Sequence, residues 1–256
     1  MSDRLYPQEC LTIIAELARI LPDILKKGMA YAAFSNPFAD DDLDKDERHP
    51  WEPVFIGGGI VALLISDPAA PSPSSTKDLD LILEHRNDDR RMRMDIALRE
   101  AGFTQDLFNE DPLFTWYHDE TRIDFLPDQD SEMFGRTNRW FQYVMREAQR
   151  VVLHGSPVWI ASAPCFLATK FEAFRSRGRG DYLGSKDMED IIAVVDGRME
   201  LFEDVGNASL DVRRFLAQCC QELCQDERFL DQIGNLVPES GREAEVLSRL
   251  QKLANV

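Results

Sequence analysis

The feature that most constrains the fold is Gly57-Gly58-Gly59, set between two apolar runs, Val54-Phe55-Ile56 and Ile60–Ile65. The first run predicts a short strand and the second a buried helix. Glycines at such a junction permit a sharp turn and let another group approach the backbone, because no Cβ stands in the way. Such a turn suits two purposes: close packing of strand on helix, or a cradle whose amides and helix N-terminus receive a phosphate. Neither a Gly-Lys-Ser/Thr sequence nor G-x-G-x-x-G follows, so the stretch is neither of those phosphate-binding motifs.

After a Pro/Ser-rich loop, Asp67–Ser75, and Thr76, the next apolar segment carries Asp78-Leu79-Asp80 into a predicted strand at Leu79–Leu83. Asp-x-Asp occurs five times in the chain, at 40/42, 42/44, 44/46, 78/80 and 128/130, so spacing alone means little. Only the 78/80 copy sits in an apolar strand, between Leu79 and Leu81. Strand alternation places both its carboxylates on one face, either as a solvated strand edge or as a pair brought together by a divalent cation.

The remaining elements predict an α+β chain. An amphipathic helix spans residues 7–33, with Leu11, Ile14, Leu17, Leu21 and Leu25 near helical spacing, and Asn36–Pro50 is an acidic loop. Arg90–Ala101 is a helix ended by Gly102. Leu113–His118 and Thr121–Leu126 form a hairpin about Asp119-Glu120, and Val151–Leu153 with Val158–Ile160 a second. Helices are expected at Glu132–Glu147, 164–177, 186–197, 208–226 and 240–253. The composition shift near residue 161 predicts a mixed α/β domain over 1–160 and a helical domain over 161–256 packed against it.

A net charge of −17 over 256 residues argues against a broad nucleic-acid surface, although arginine clusters such as Arg175, Arg177 and Arg179 leave room for a confined polyanion site. The chain has no apolar run of membrane-spanning length, and its N-terminus lacks a signal pattern. The five cysteines show no metal-ligand spacing. A cytoplasmic protein with reduced thiols and no membrane partner is expected. The scattered histidines make no metal spacing, and Trp116, Trp140 and Trp159 are expected in the core.

The order strand, Gly-Gly, helix, loop with Ser/Thr, then Asp-x-Asp on the next strand resembles the DNA polymerase β-type nucleotidyltransferase superfamily. The resemblance implies a nucleotidyltransferase-fold mixed sheet with flanking helices, followed by a C-terminal helical bundle. It also implies Mg²⁺ held by Asp78 and Asp80, with a third carboxylate from a later strand. Asp124 in Thr121-Arg122-Ile123-Asp124-Phe125 is the candidate, because Ile123 and Phe125 would face the core and Asp124 away from it. Gly58-Gly59 stands where the superfamily commonly has Gly-Ser, so the amides of Gly57, Gly58 and Gly59, with Thr76, would meet the nucleotide.

A second constellation lies downstream. Lys170 is on a predicted helix running to Arg177, and Ser185-Lys186-Asp187 opens the next one. Read singly, Lys170 is a surface lysine and Asp187 a first-turn acid behind an N-cap serine. Read with Gly57–Gly59 and Asp78/Asp80, the set resembles the AbiEii/AbiGii-type nucleotidyltransferase toxins. That resemblance implies that Lys170 and Arg177 hold the NTP and that Asp187 positions or deprotonates the acceptor. The acceptor would be an RNA 3′ end or a protein hydroxyl, and an antitoxin is implied as a partner. A small hydroxylated cation, such as an aminoglycoside, suits the acidic charge better than RNA does. A non-catalytic nucleotide- or partner-binding module is the remaining reading.

Overall fold

The structure, a computed structural model, describes residues 4–30, 48–49, 51–84, 88–105, 114–130, 135, 137–178, 180–237 and 241–256. In chain order the elements are α1 (Pro7–Ala30), β1 (Val54–Ile56), α2 (Val61–Leu64), β2 (Asp78–Leu83), α3 (Asp88–Glu100), β3 (Thr115–His118) and β4 (Thr121–Pro127). Then follow α4 (Phe141–Arg146), β5 (Gln149–Leu153), β6 (Ser156–Ile160), α5 (Ala163–Ala173), α6 (Lys186–Gly197), α7 (Leu201–Asn207), α8 (Leu210–Gln225), α9 (Glu227–Leu236) and α10 (Glu243–Leu253). The chain divides into two compact units. One comprises Met1–Gly59, Ser75–Thr137 and Ala148–Ala161; the other comprises Ile60–Ser74, Asn138–Glu147 and Ser162–Val256.

The first unit is built on a six-stranded mixed sheet of order β3-β4-β2-β1-β6-β5. β1 runs antiparallel to β2 and parallel to β6, β2 runs parallel to β4, and hairpins close both edges. The period-2 patterns in the sequence produce this sheet. Leu79, Leu81, Ile123 and Phe125 are all but fully buried, whereas Asp78, Asp80, Arg122 and Asp124 alternate with them and stay partly open. α1 buries Ile14, Leu17, Leu21 and Leu25 along one stripe. It approaches α3 closely at Gly28, where a Cβ would come 3.1 Å from the Arg93 carbonyl oxygen. Tight turns sit where the sequence places them, with Asp119 and His154 in left-handed conformations and Gly102 ending α3.

The second unit is helical. α5 is apolar nearly all round, with Ala163–Thr169 and Phe171 buried, and it packs on α4, α6, α7 and α8. A single π-helical turn, Phe174–Gly178, continues it. Ser185 caps α6 by accepting a hydrogen bond from the Met188 amide at 3.3 Å.

The α+β architecture expected from the sequence is present: a mixed sheet with flanking helices and a C-terminal run of helices. Several boundaries differ. The helix expected at Glu132–Glu147 is, among the described residues, confined to Phe141–Arg146. Asn138 stops it, because its Oδ1 accepts from the Trp140 amide at 3.1 Å and holds a turn there. The expected helix at Ile60–Ile65 shrinks to a 3₁₀ turn, Gly58–Ile60, and the one-turn α2, with Ile65 already extended. Neither α7 nor α9 is anticipated by the sequence reading. At the α8–α9 junction, the Asp226 carboxylate accepts from the Arg228 amide at 2.8 Å and starts a new helix. The strand expected at Leu79 begins one residue earlier, so Asp78 belongs to β2. The acidic loop, apart from Arg48 and His49, and the residues His85, Arg136 and Arg179 lie outside the described residues.

The buried cysteines, Cys10, Cys165, Cys219 and Cys220, serve as packing groups. Trp116 and Trp140 are in the core as expected, and Trp159 is half-buried.

Candidate functional site

In the first unit, strand register brings the sequence-marked aspartates together. Asp80 and Asp124 are direct partners on the parallel strands β2 and β4, and Asp78 is the partner of Arg122. Because both strands alternate, all four side chains rise from one face of the sheet. On the other flank of β2, Asp80 pairs with Ile56, the last residue of β1.

Gly57 follows Ile56 with φ +76°, a conformation that side-chain-bearing residues rarely adopt. A Cβ there would come within 2.8 Å of Asp80 Cγ, and closer still to its Oδ2. The glycine is thus required by the carboxylate it flanks. Gly59 answers a different demand, since a Cβ on it would meet Leu79 Cδ2 at 2.5 Å. With α2 reduced to four residues, the expected helix N-terminus contributes little dipole to the glycine turn. Close packing accounts for Gly57 and Gly59.

The carboxylates are held by named donors. Thr115 on β3 donates through Oγ1 to Asp124 Oδ1 at 2.8 Å. Arg122 grips the same carboxylate with Nη2 to Oδ2 at 3.0 Å and Nε to Oδ1 at 3.3 Å. Its Nη1 lies 3.8 Å from Asp78 Oδ2. Thr76 donates through Oγ1 to Asp78 Oδ1 at 3.3 Å. Burial pushes the Asp124 carboxyl above its usual range, and the Asp78 charge adds to that. The hydrogen bond from Thr115 and the Arg122 charge offset the rise only in part. Burial works against the Arg122 charge too, but Asp124 and Asp78 outweigh it and hold the guanidinium above its ordinary value.

Arg122 also lines a cavity of about 1040 Å³, with Gln8, Glu9, Lys77, Tyr117 and Glu120 among its other walls; Asp78, Asp80 and Asp124 do not line it. It is as large as the pockets that take drug-sized ligands. Its charged lining residues are Lys77 and Arg122 together with Glu9 and Glu120.

The donor chemistry at this face, hard carboxylate oxygens, suits Mg²⁺. A three-carboxylate ligand set does not fit the geometry: among the described residues, no group of three or more His, Cys, Asp or Glu side chains is arranged to hold a metal ion. Arg122 occupies both oxygens of Asp124. Mg²⁺ is commonly bound through one or two carboxylates plus substrate phosphates, and Asp78 and Asp80 place two carboxylates on one face.

In the second unit, Lys170, Asp187 and Arg177 do meet. Lys170 Nζ donates to Asp187 Oδ1 at 3.2 Å and makes an ion contact with Asp190 Oδ2 at 2.7 Å. Arg177 binds Asp187 through Nε at 2.8 Å and Nη2 at 2.9 Å. Lys186 Nζ lies 3.4 Å from Asp190 Oδ1. The side chains of Lys170, Asp187 and Asp190 are only 11%, 5% and 3% exposed, so their charges compensate one another inside the unit. Burial alone would raise the Asp187 carboxyl, but the Arg177 hydrogen bonds and the Lys170 charge hold it below the usual range. A carboxylate kept ionised in this way is a weak proton acceptor.

Sequence reasoning overlooked Arg122, Thr115 and Asp190. Arg122 was legible in principle, two residues before Asp124 on one strand and therefore on its face. Asp190, three residues after Asp187 on a helix, was legible by the same parity. Thr115 needed the β3–β4 register.

No protein-family model matches the chain, and no curated protein matches it as a relative. Among solved structures it is similar to an antigenic nucleotidyltransferase-like protein from Paracoccidioides brasiliensis. The TM-score is 0.47 and the identity 18%, over 91% of this chain and 94% of that one. A similarity of that size assigns neither an activity nor a site.

Proposed function

We propose that the chain is a Mg²⁺-dependent nucleotidyltransferase that moves a nucleoside monophosphate from an NTP to a hydroxyl acceptor. The observation that carries this reading is the shared face of β2 and β4. There Asp78, Asp80 and Asp124 share a face with Arg122, which also lines a cavity together with Lys77. Asp78, oriented by Thr76, and Asp80, seated against Gly57, are the carboxylates offered to the ion. Bound Mg²⁺ supplies charge neutralisation to the triphosphate and Lewis-acid activation to the attacking oxygen.

The acceptor oxygen attacks the α-phosphorus, the bond to the bridging oxygen breaks, and pyrophosphate leaves. The acceptor proton passes to a carboxylate. Asp124, raised by burial although Arg122 and Thr115 hold its oxygens, is the candidate for it on this face. Arg122 and Lys77 attract phosphate oxygens, with the Gly58 and Gly59 amides as further donors. Arg177, at 71% side-chain exposure the most solvent-facing member of its cluster, meets polyanion, and Lys170 keeps Asp187 in place.

The toxin resemblance favours an RNA 3′ end or a protein hydroxyl as acceptor and an antitoxin as partner. The net charge of −17 favours a small cationic acceptor, such as an aminoglycoside. Incubation with labelled NTP, Mg²⁺ and each acceptor class, scored by label transfer and pyrophosphate release, separates these. Transfer is expected from the wild type and not from Asp78→Ala/Asp80→Ala. Equal transfer by that variant rejects the mechanism. Calorimetric binding of NTP without turnover on any acceptor makes the chain a nucleotide-binding module instead.

A further inference from the structure

α1 and α3 pack on each other within the first unit, and a second cavity, of about 600 Å³, opens between them. It shares no lining residue with the cavity at Arg122. Its α3 wall is a single helical face: Arg93, Ile96, Ala97, Glu100 and Ala101 follow one another at i, i+3, i+4, i+7 and i+8. Gly28 of α1 brings the helices together, since a Cβ there would lie 3.1 Å from the Arg93 carbonyl oxygen and 3.3 Å from Ala97 Cβ. Ala97 is buried, whereas Ile96 keeps 49% exposure. Apolar surface is thus left open along the groove. Charge is separated along it as well. Glu100 stands seven residues beyond Arg93, about 10 Å along the helix axis. Lys27 adjoins Gly28, the residue that meets Arg93 from the other helix. Nη1 of Arg93 is shut off from solvent and, among the described residues, has no hydrogen-bond partner. A buried donor left unmatched costs free energy, and a charged one costs more.

We infer that this groove binds a small amphipathic monocarboxylate, independently of the transferase reading. The carboxylate accepts from Arg93, whose planar fork matches it, and Lys27 adds a second positive charge at that end. The aliphatic body lies on Ile96, Ala97 and Ala101 and is drawn there by burial of apolar surface. Glu100 repels a second anionic group at the far end, which disfavours dicarboxylates and polyphosphates. From Arg93 to Ala101 the groove follows about 12 Å of α3. Its volume is that of a small-molecule pocket and its length is short for a partner helix.

Titration calorimetry of the full chain with octanoate, octylammonium, acetate and suberate reads the site without any activity. Octanoate is expected to saturate the wild type, and the other three to bind at least about tenfold more weakly. Arg93→Met is expected to weaken octanoate at least about tenfold. Ala101→Trp, at an exposed position on the wall, fills the groove and should abolish binding. If Arg93→Met does not fold, the ranking of the four ligands and the Ala101→Trp result decide. Failure of octanoate to saturate the wild type, equal binding of octylammonium, or unchanged octanoate binding by Ala101→Trp overturns the inference. Sedimentation showing a wild-type dimer that Ala101→Trp dissociates gives the groove to a second copy of the chain and overturns it too.

Discussion

Gly57 and Asp80 are in contact at a point where no side chain fits: a Cβ on Gly57 would lie within 2.8 Å of Asp80 Cγ. The turn that ends β1 and the carboxylate in the middle of β2 are therefore one construction. The positive φ of Gly57 turns the chain away, and its missing side chain gives the carboxylate its seat.

Gly57→Ala meets both the conformational and the steric penalty, so it is expected to lose about 2–4 kcal/mol of stability in urea denaturation. The same substitution in an Asp80→Gly background should cost measurably less, because the steric part is gone. Equal costs in the two backgrounds would show that only the backbone angle matters.

Lys170→Met leaves Asp187 and Asp190 facing each other, at 5% and 3% side-chain exposure, without their shared ammonium. Losing one partner of a buried ion network costs about 3–5 kcal/mol, and denaturation should show a loss of that order. A loss below about 1 kcal/mol, the range of surface pairs, would mark Lys170 as dispensable to the fold.

Asp187 and Asp124 should respond to pH with opposite signs. Burial opposes ionisation of Asp187, but Arg177 and Lys170 hold it below 3.8, so its contribution is present above that value and fades as pH falls through the folded one. Burial and the Asp78 charge hold Asp124 above 3.8, so its contribution is full below that value and is lost as pH rises through the folded one. Relative to wild type, Asp187→Asn should therefore lose stability as the medium goes from acid to neutral, and Asp124→Asn should gain. Parallel pH profiles of the two variants would contradict this.

Burial pushes the Cys10 thiol up to about 11 and those of Cys165 and Cys219 up to about 12. Cys220 is raised by burial as well, and Cys224 is the half-buried member of the group. Iodoacetamide on the native protein should mark Cys224 first, and all five cysteines after unfolding, as read by peptide mass spectrometry. Early labelling at Cys165 would contradict the packing around it.

Much of the fold was legible because its signals are local. Alternation around Leu79 and Leu81, the Asp119-Glu120 turn and the apolar stripe of α1 each depend on residues a few positions apart. Two of the boundaries that escaped involve single side-chain contacts to the backbone. Asn138 shortens α4, and Asp226 separates α9 from α8. Neither side chain announces whether it will bind the backbone or point to solvent.

The sequence by itself determined that Asp78 and Asp80 share a strand face, that Ile123 and Phe125 turn inward while Asp124 does not, and that Ser185 opens a helix at Asp187. Periodicity decides these, and it belongs to the chain. Only the tertiary structure decided that Asp124 stands beside Asp80, that Arg122 holds both Asp124 and Asp78, and that Lys170 is bound by Asp187 and Asp190 inside its own unit. Apart from Arg122 with Asp124, those pairings join residues far apart in sequence. They are set by strand register and by the need to compensate buried charge, neither of which a linear pattern contains.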